Sequence, residues 1–123
     1  ETRKRMNDAR IDVSLFIAPD PQQIAAAART GTQFIELHTG SFAEHFADEK
    51  LREAELNRLV FGARQAHQLG LRINAGHGLN YQNVKRLTHI PEIVEYNIGH
   101  SIIARAVLVG LDQAVREMKA LLS

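Results

Sequence analysis

"QFIELHTG", residues 33–40, alternates two kinds of side chain and then runs into a glycine. Successive residues of a strand point to opposite faces of a sheet. Ile35 and Leu37 therefore share one face of this segment, and Glu36 and His38 share the other. A strand of a doubly wound sheet is covered by helices on both sides and should be apolar at both parities. This one is not, so the fold depends on whether other strands share the asymmetry.

They do. "IDVSLFI" (11–17), "LRINA" (71–75) and "IVEYNIGH" (93–100) are rich in β-branched and aromatic residues, which marks them as strands. Val13, Leu15 and Ile17, Leu71 and Ile73, and Val94, Tyr96 and Ile98 fall with Ile35 and Leu37 on one face. Asp12, Ser14, Arg72, Asn74, Glu95 and Asn97 fall with Glu36 and His38, and Phe16 and Phe34 are the large apolar members of that side. One face suits packed helices, and the other suits a polar layer beneath a ligand.

Helices separate the strands. Asp20, Pro21 and Gln23 supply an N-cap, a proline at the first helical position and a capping-box partner, and Gly31 closes the alanine-rich turns that follow. A long helix is expected from near Asp48 to Gln68, with Leu56, Leu59, Val60 and Ala63 on one face and Gly70 at its end. Asn80 caps a short helix through Leu87, and Pro91 blocks its extension. Two apolar helical segments finish the chain, the second with Leu111, Ala114, Val115, Met118, Leu121 and Leu122 on one stripe. Residues 1–10 read as the end of an earlier helix.

Strand and helix alternate four times, which implies a parallel sheet with helical crossovers. With a polar parity, the expected fold is α/β of the (β/α)8 TIM-barrel type. A complete barrel needs about 250 residues. Residues 11–123 supply four β/α units, so the whole 1–123 stretch reads as the C-terminal half of a barrel domain. A chain that begins with Glu1 rather than methionine fits a fragment.

Composition narrows the function. Fifteen basic residues interspersed with fourteen acidic ones give a formal net charge of +1, which argues against a nucleic-acid-binding face. No apolar run approaches the roughly 20 residues of a membrane span, and the charged opening "ETRKRMNDAR" holds no signal-peptide core. The absence of cysteine removes disulfides and thiolate metal sites and fits a reducing, cytoplasmic setting.

In barrels the ligand lies at the C-terminal ends of the strands. Three of these ends are unusual here: Glu36-Leu37-His38-Thr39-Gly40, Asn74-Ala75-Gly76-His77-Gly78 and Asn97-Ile98-Gly99-His100. Glycines admit close backbone approach, and the free N–H groups of a helix start suit an anion, so a phosphate is the natural ligand. Each feature also has a structural reading. A glycine after a strand is ordinary punctuation, Glu36 could pair with Arg72, and His38 could be a satisfied core histidine. His45, His67 and His89 lack convergent partners and read as surface residues. Glu36, His77 and His100 have the right types for a metal, but no metal-ligand spacing supports such a site.

"FIELHTG", "NAGHGLNYQNV" and "NIGHSIIARAV", in this order and at these separations, resemble the pyridoxine 5'-phosphate synthase family, as do "IDVSLFI" and the closing "GLDQAVREMKALL". The resemblance implies a (β/α)8 enzyme that condenses 3-amino-2-oxopropyl phosphate with 1-deoxy-D-xylulose 5-phosphate, releasing phosphate and water. It also implies a homo-oligomer that acts on phosphorylated small molecules with no cofactor and no metal. By the same resemblance His77 matches the proton donor and Glu36 a glutamate that stabilises charge in the transition state. Gly78, Gly99 and His100 match positions that hold the aminoketone phosphate. The family takes a second histidine and glutamate from its first four strands, so the fragment alone is expected to be inactive. The alternatives are another phosphosugar lyase or isomerase barrel and a non-catalytic phosphate-binding half-barrel.

Overall fold

The computed structural model describes residues 1–123. Its elements run α1 (Thr2–Asp8), β1 (Ser14–Ile17), α2 (Pro21–Thr30), β2 (Phe34–His38), α3 (Gly40–Glu44), α4 (Glu49–Gln68) and β3 (Arg72–Gly76). A 3₁₀ helix (Val84–His89) follows, then β4 (Ile93–Asn97), α5 (His100–Val109) and α6 (Leu111–Leu121). The four strands are parallel and lie in the order in which the chain makes them. A doubly wound sheet reverses its order at a switch point. This sheet advances in one direction, and only one of its faces is covered.

The covered face is the expected apolar one. Ile35, Leu37, Ile73 and Ala75 are at most 1% exposed and pack with Ile24 of α2 and with Leu59, Ala63 and Ala66 of α4. Burying such side chains contributes roughly 1.5–3 kcal/mol for each large one. The uncovered face carries Ser14, Phe16, Arg72, Glu95 and Asn97 as exposed residues, with Phe34, Glu36 and His38 half-buried.

Helix ends follow their local chemistry. The Asp20 carboxylate accepts from the Gln22 and Gln23 amides, and Gly31 ends α2 in the left-handed region at φ +76°. The Gln23 side chain accepts from the Ala18 amide, so the capping box closes two residues further out than expected. Asp48 caps α4 through the Leu51 amide, and Gly70 follows that helix at φ +79°. α1 buries nothing, and a reciprocal amide pair between Asn7 and Gln33 holds it.

Four details differ from the sequence reading. Strand one is confined to Ser14–Ile17, and Ile11 is exposed. A short helix, α3, fills part of the loop before α4, and His45 at its end is half-buried with its ring against the Ser41 carbonyl rather than free on the surface. Asn80 caps a turn through the Gln82 and Asn83 amides, and the helix beyond it is 3₁₀ over Val84–His89. Strand four stops at Asn97 and contains a bulge. Ile73 pairs with Ile93 and Asn74 with Glu95, so the extra residue Val94 points outward at 57% exposure, and Ile93 occupies the core position expected for it.

Candidate active site

The uncovered face and the strand ends above it hold the unusual residues. Phe16, Glu36, Asn74 and Glu95 form one row across the sheet, and His38, Gly76 and Asn97 form the row above. Glu36 accepts from the Asn97 side-chain amide at 2.8 Å, a bond that reaches across the intervening strand. It can do so because Gly76 has no side chain: a Cβ there would lie 2.3 Å from Glu36 Oε1 and 3.2 Å from Asn97 Cβ. Glu36 is thus held by an amide on β4, not by Arg72, whose guanidinium lies over the Phe34 ring at 4.3 Å. Asn74, 6% exposed, donates to Glu95 at 3.2 Å, and its Oδ1 has no partner.

His77 occupies a backbone conformation that side chains rarely adopt, at φ +83°, with Gly78 following at +77°. Thr39 fastens this turn from the neighbouring strand end. Its amide donates to the Gly76 carbonyl at 2.8 Å, and its hydroxyl lies 2.7 Å from that oxygen and 2.6 Å from the His77 carbonyl. Gly78 packs against α3, where a Cβ would come 2.7 Å from that of Ala43. The His77 ring stacks on His38, with centroids 4.6 Å apart and planes inclined by 24°.

α5 begins beside this turn. Its N-cap is Gly99, which offers no side-chain acceptor, so the first amides of the helix lack an intrahelical or capping partner. A Cβ on Gly99 would meet nothing within 4 Å. The Ser101 hydroxyl donates to the Leu79 carbonyl at 2.9 Å and ties the start of α5 to the segment after Gly78. His100 is the first residue of α5, not the last of a strand, and is exposed.

Of the residues singled out from the sequence, Glu36 and His77 belong to adjoining strand ends, and Gly78 is joined to Gly99 and His100 through Leu79 and Ser101. Glu36, His77 and His100 do not converge as a metal-binding set, and no group of three or more such side chains does so elsewhere. Sequence reasoning missed Thr39, Asn97 and Ser101. Thr39 and Asn97 could have been found from their places beside the two Gly-His turns. Ser101 could have been found as the second residue of a helix that lacks a capping side chain.

Chemically, an exposed imidazole on a glycine-flanked turn can give or take a proton near neutral pH. The neighbouring helix start favours an anion. A carboxylate one strand away can face developing positive charge. The arrangement thus sets a helix start that can seat an anion beside a side chain that can transfer a proton.

Residues 1–123 match the family model described as pyridoxal phosphate biosynthesis protein PdxJ. The chain is 52% identical over 122 residues to the pyridoxine 5'-phosphate synthase of Idiomarina loihiensis, covering 99% of this chain and 50% of that protein. It is 57% identical over 115 residues to the synthase of Synechococcus sp., covering 94% and 48%. It is 58% identical over 118 residues to that of Thermosynechococcus vestitus, covering 96% and 49%. The chain spans about half the length of the curated relatives it matches.

Proposed function

Since the chain belongs to the pyridoxal phosphate biosynthesis protein PdxJ family, we propose that it forms the anion-holding, proton-donating half of a pyridoxine 5'-phosphate synthase. The sheet is then four consecutive units of a (β/α)8 barrel, and its uncovered polar face is lumen. The reaction joins 3-amino-2-oxopropyl phosphate to 1-deoxy-D-xylulose 5-phosphate, with loss of phosphate and water. Amine addition, dehydration and aromatising ring closure each need protons delivered at oxygen or taken from carbon, a task suited to histidine. His77 is the donor, Glu36 stabilises charge in the transition state, and Gly78, Gly99 and His100 hold the aminoketone phosphate.

The observation that carries this reading is the Ser101 to Leu79 hydrogen bond, which sets the uncapped start of α5 beside the His77 turn. A phosphate seated there leaves the aminoketone carbons close to the imidazole, so binding energy from the anion positions the reacting atoms. Gly99 leaves open space where the ligand would approach.

Assaying the full-length protein with the two substrates tests the proposal, and pyridoxine 5'-phosphate is the expected product. Gly99→Val should raise KM for the aminoketone phosphate by about tenfold or more with little effect on unfolding, because its Cβ displaces ligand and not protein. No product from these substrates, or a phosphate seated elsewhere in a structure grown with it, overturns the reading.

A further inference from the structure

We infer that His38 is a positioning residue for His77, holding the donor imidazole through the face of its own ring; the inference rests on His77 being the proton donor. His38 lies on the open face at the end of β2 and is half-buried. Its ring has one neighbour on each of three sides. Phe16 lies 5.0 Å away between centroids, His77 stacks at 4.6 Å, and the Gly40 amide donates to His38 Nδ1 at 3.2 Å. That amide leaves Nδ1 as the acceptor and fixes the ring about its χ2 axis.

Gly40 shows that the space is set aside for these two rings. A Cβ at Gly40 would fall 2.4 Å from His38 Cε1 and 3.1 Å from His77 Cδ2. His77 sits on an exposed turn at positive φ, and its other ring neighbour, Phe16, is further off at 6.3 Å between centroids and tilted by 44°, so the closer stacked face is that of His38. Thr39 fixes the backbone of that turn, but a fixed backbone still leaves the imidazole free to rotate about χ1 and χ2. The stacked face of His38 restricts that rotation and keeps the ring over the strand end. A misplacement of about 1 Å at a reacting group can cost a hundredfold in rate.

The experiment uses the full-length enzyme with His38→Ala, His38→Asn and His38→Phe, and His77→Ala in parallel. Asparagine keeps an acceptor for the Gly40 amide without a ring, and phenylalanine keeps a ring without the acceptor. His38→Ala and His38→Asn are expected to lower kcat about 10- to 100-fold with KM for the aminoketone phosphate changed less than about twofold, and His38→Phe to retain most activity. The His77 ring-proton resonances should move when the stack is removed and should stay near their original positions in His38→Phe. If His38→Ala does not fold, His38→Asn carries the comparison. Unchanged kcat, a loss confined to KM, or equal damage from Phe and Asn overturns the inference. Normal turnover in His77→Ala overturns the donor assignment instead, and the resonance shifts then still report on the stack.

Discussion

His77 is held at φ +83°, where a β-carbon is strained, and a strained residue at a candidate site persists only when its surroundings over-determine it. Thr39 does so here, buried completely, with its hydroxyl between two carbonyls of the turn. Thr39→Val keeps the shape and removes the hydroxyl, so it should cost about 1–3 kcal/mol in denaturant unfolding by leaving a carbonyl unsatisfied. His77→Gly should do the opposite and raise stability by about 1 kcal/mol, since glycine adopts this φ freely, while turnover is lost. Equal stabilities for His77→Gly and the parent would show that the turn is unstrained. The histidine between two glycines was legible in the sequence because positive φ and glycine go together. The stack with His38 was not, because it depends on the β2–β3 register, which sets His38 opposite Gly76 and is a property of two distant segments.

The helices and strands were legible where capping chemistry is local. Asp20, Gly31, Asp48 and Gly70 each act within a few residues of the chain, and α2 and α4 fall where these residues place them. The bulge at Val94 had no such marker, because it comes from fitting β4 against β3. Alternation alone assigned Val94 to the core, and a one-residue offset placed it outside. The final two helices meet through a charged contact, in which Arg105 donates twice to Glu117 at 2.8 and 3.1 Å and Gln113 adds a third bond. Bonds from Arg105 and then Gln113 hold the Glu117 carboxyl down from 4.5 to about 2. The folded value is below the unfolded one, so this contribution to stability is complete above about pH 4.5 and is lost as pH falls through about 2. In Arg105→Gln the Glu117 carboxyl should titrate at a higher pH by carbon NMR, and the acid limb of unfolding should begin earlier. A Glu117 titration unmoved by Arg105→Gln would assign the depression to another cause.

For the whole molecule, one face of the sheet is packed and the other is exposed, and β1 and β4 each have a free edge. α5 buries no residue completely, and Ile103, Val107 and Leu108 are 60–81% exposed. No helix is long and apolar enough to cross a membrane. A polypeptide of these 123 residues should therefore self-associate in dilute solution, since free strand edges and contiguous apolar surface favour association. Sedimentation as a stable monomer with cooperative unfolding would contradict this. The parity of the strands carried the sheet's one-sidedness at the sequence level, because alternation is written in each strand separately.

The proposed role of His77 is to move a proton beside an anion seated at the α5 start, not to hold the anion itself. Steady-state kinetics of His77→Ala in the full-length enzyme separates these two roles. Loss of a proton donor should lower kcat by about 10²-fold or more, the range for removal of a general acid, with KM for the aminoketone phosphate nearly unchanged. Near-normal turnover at saturating substrate with KM greatly raised would instead make His77 a phosphate ligand and remove it from proton transfer.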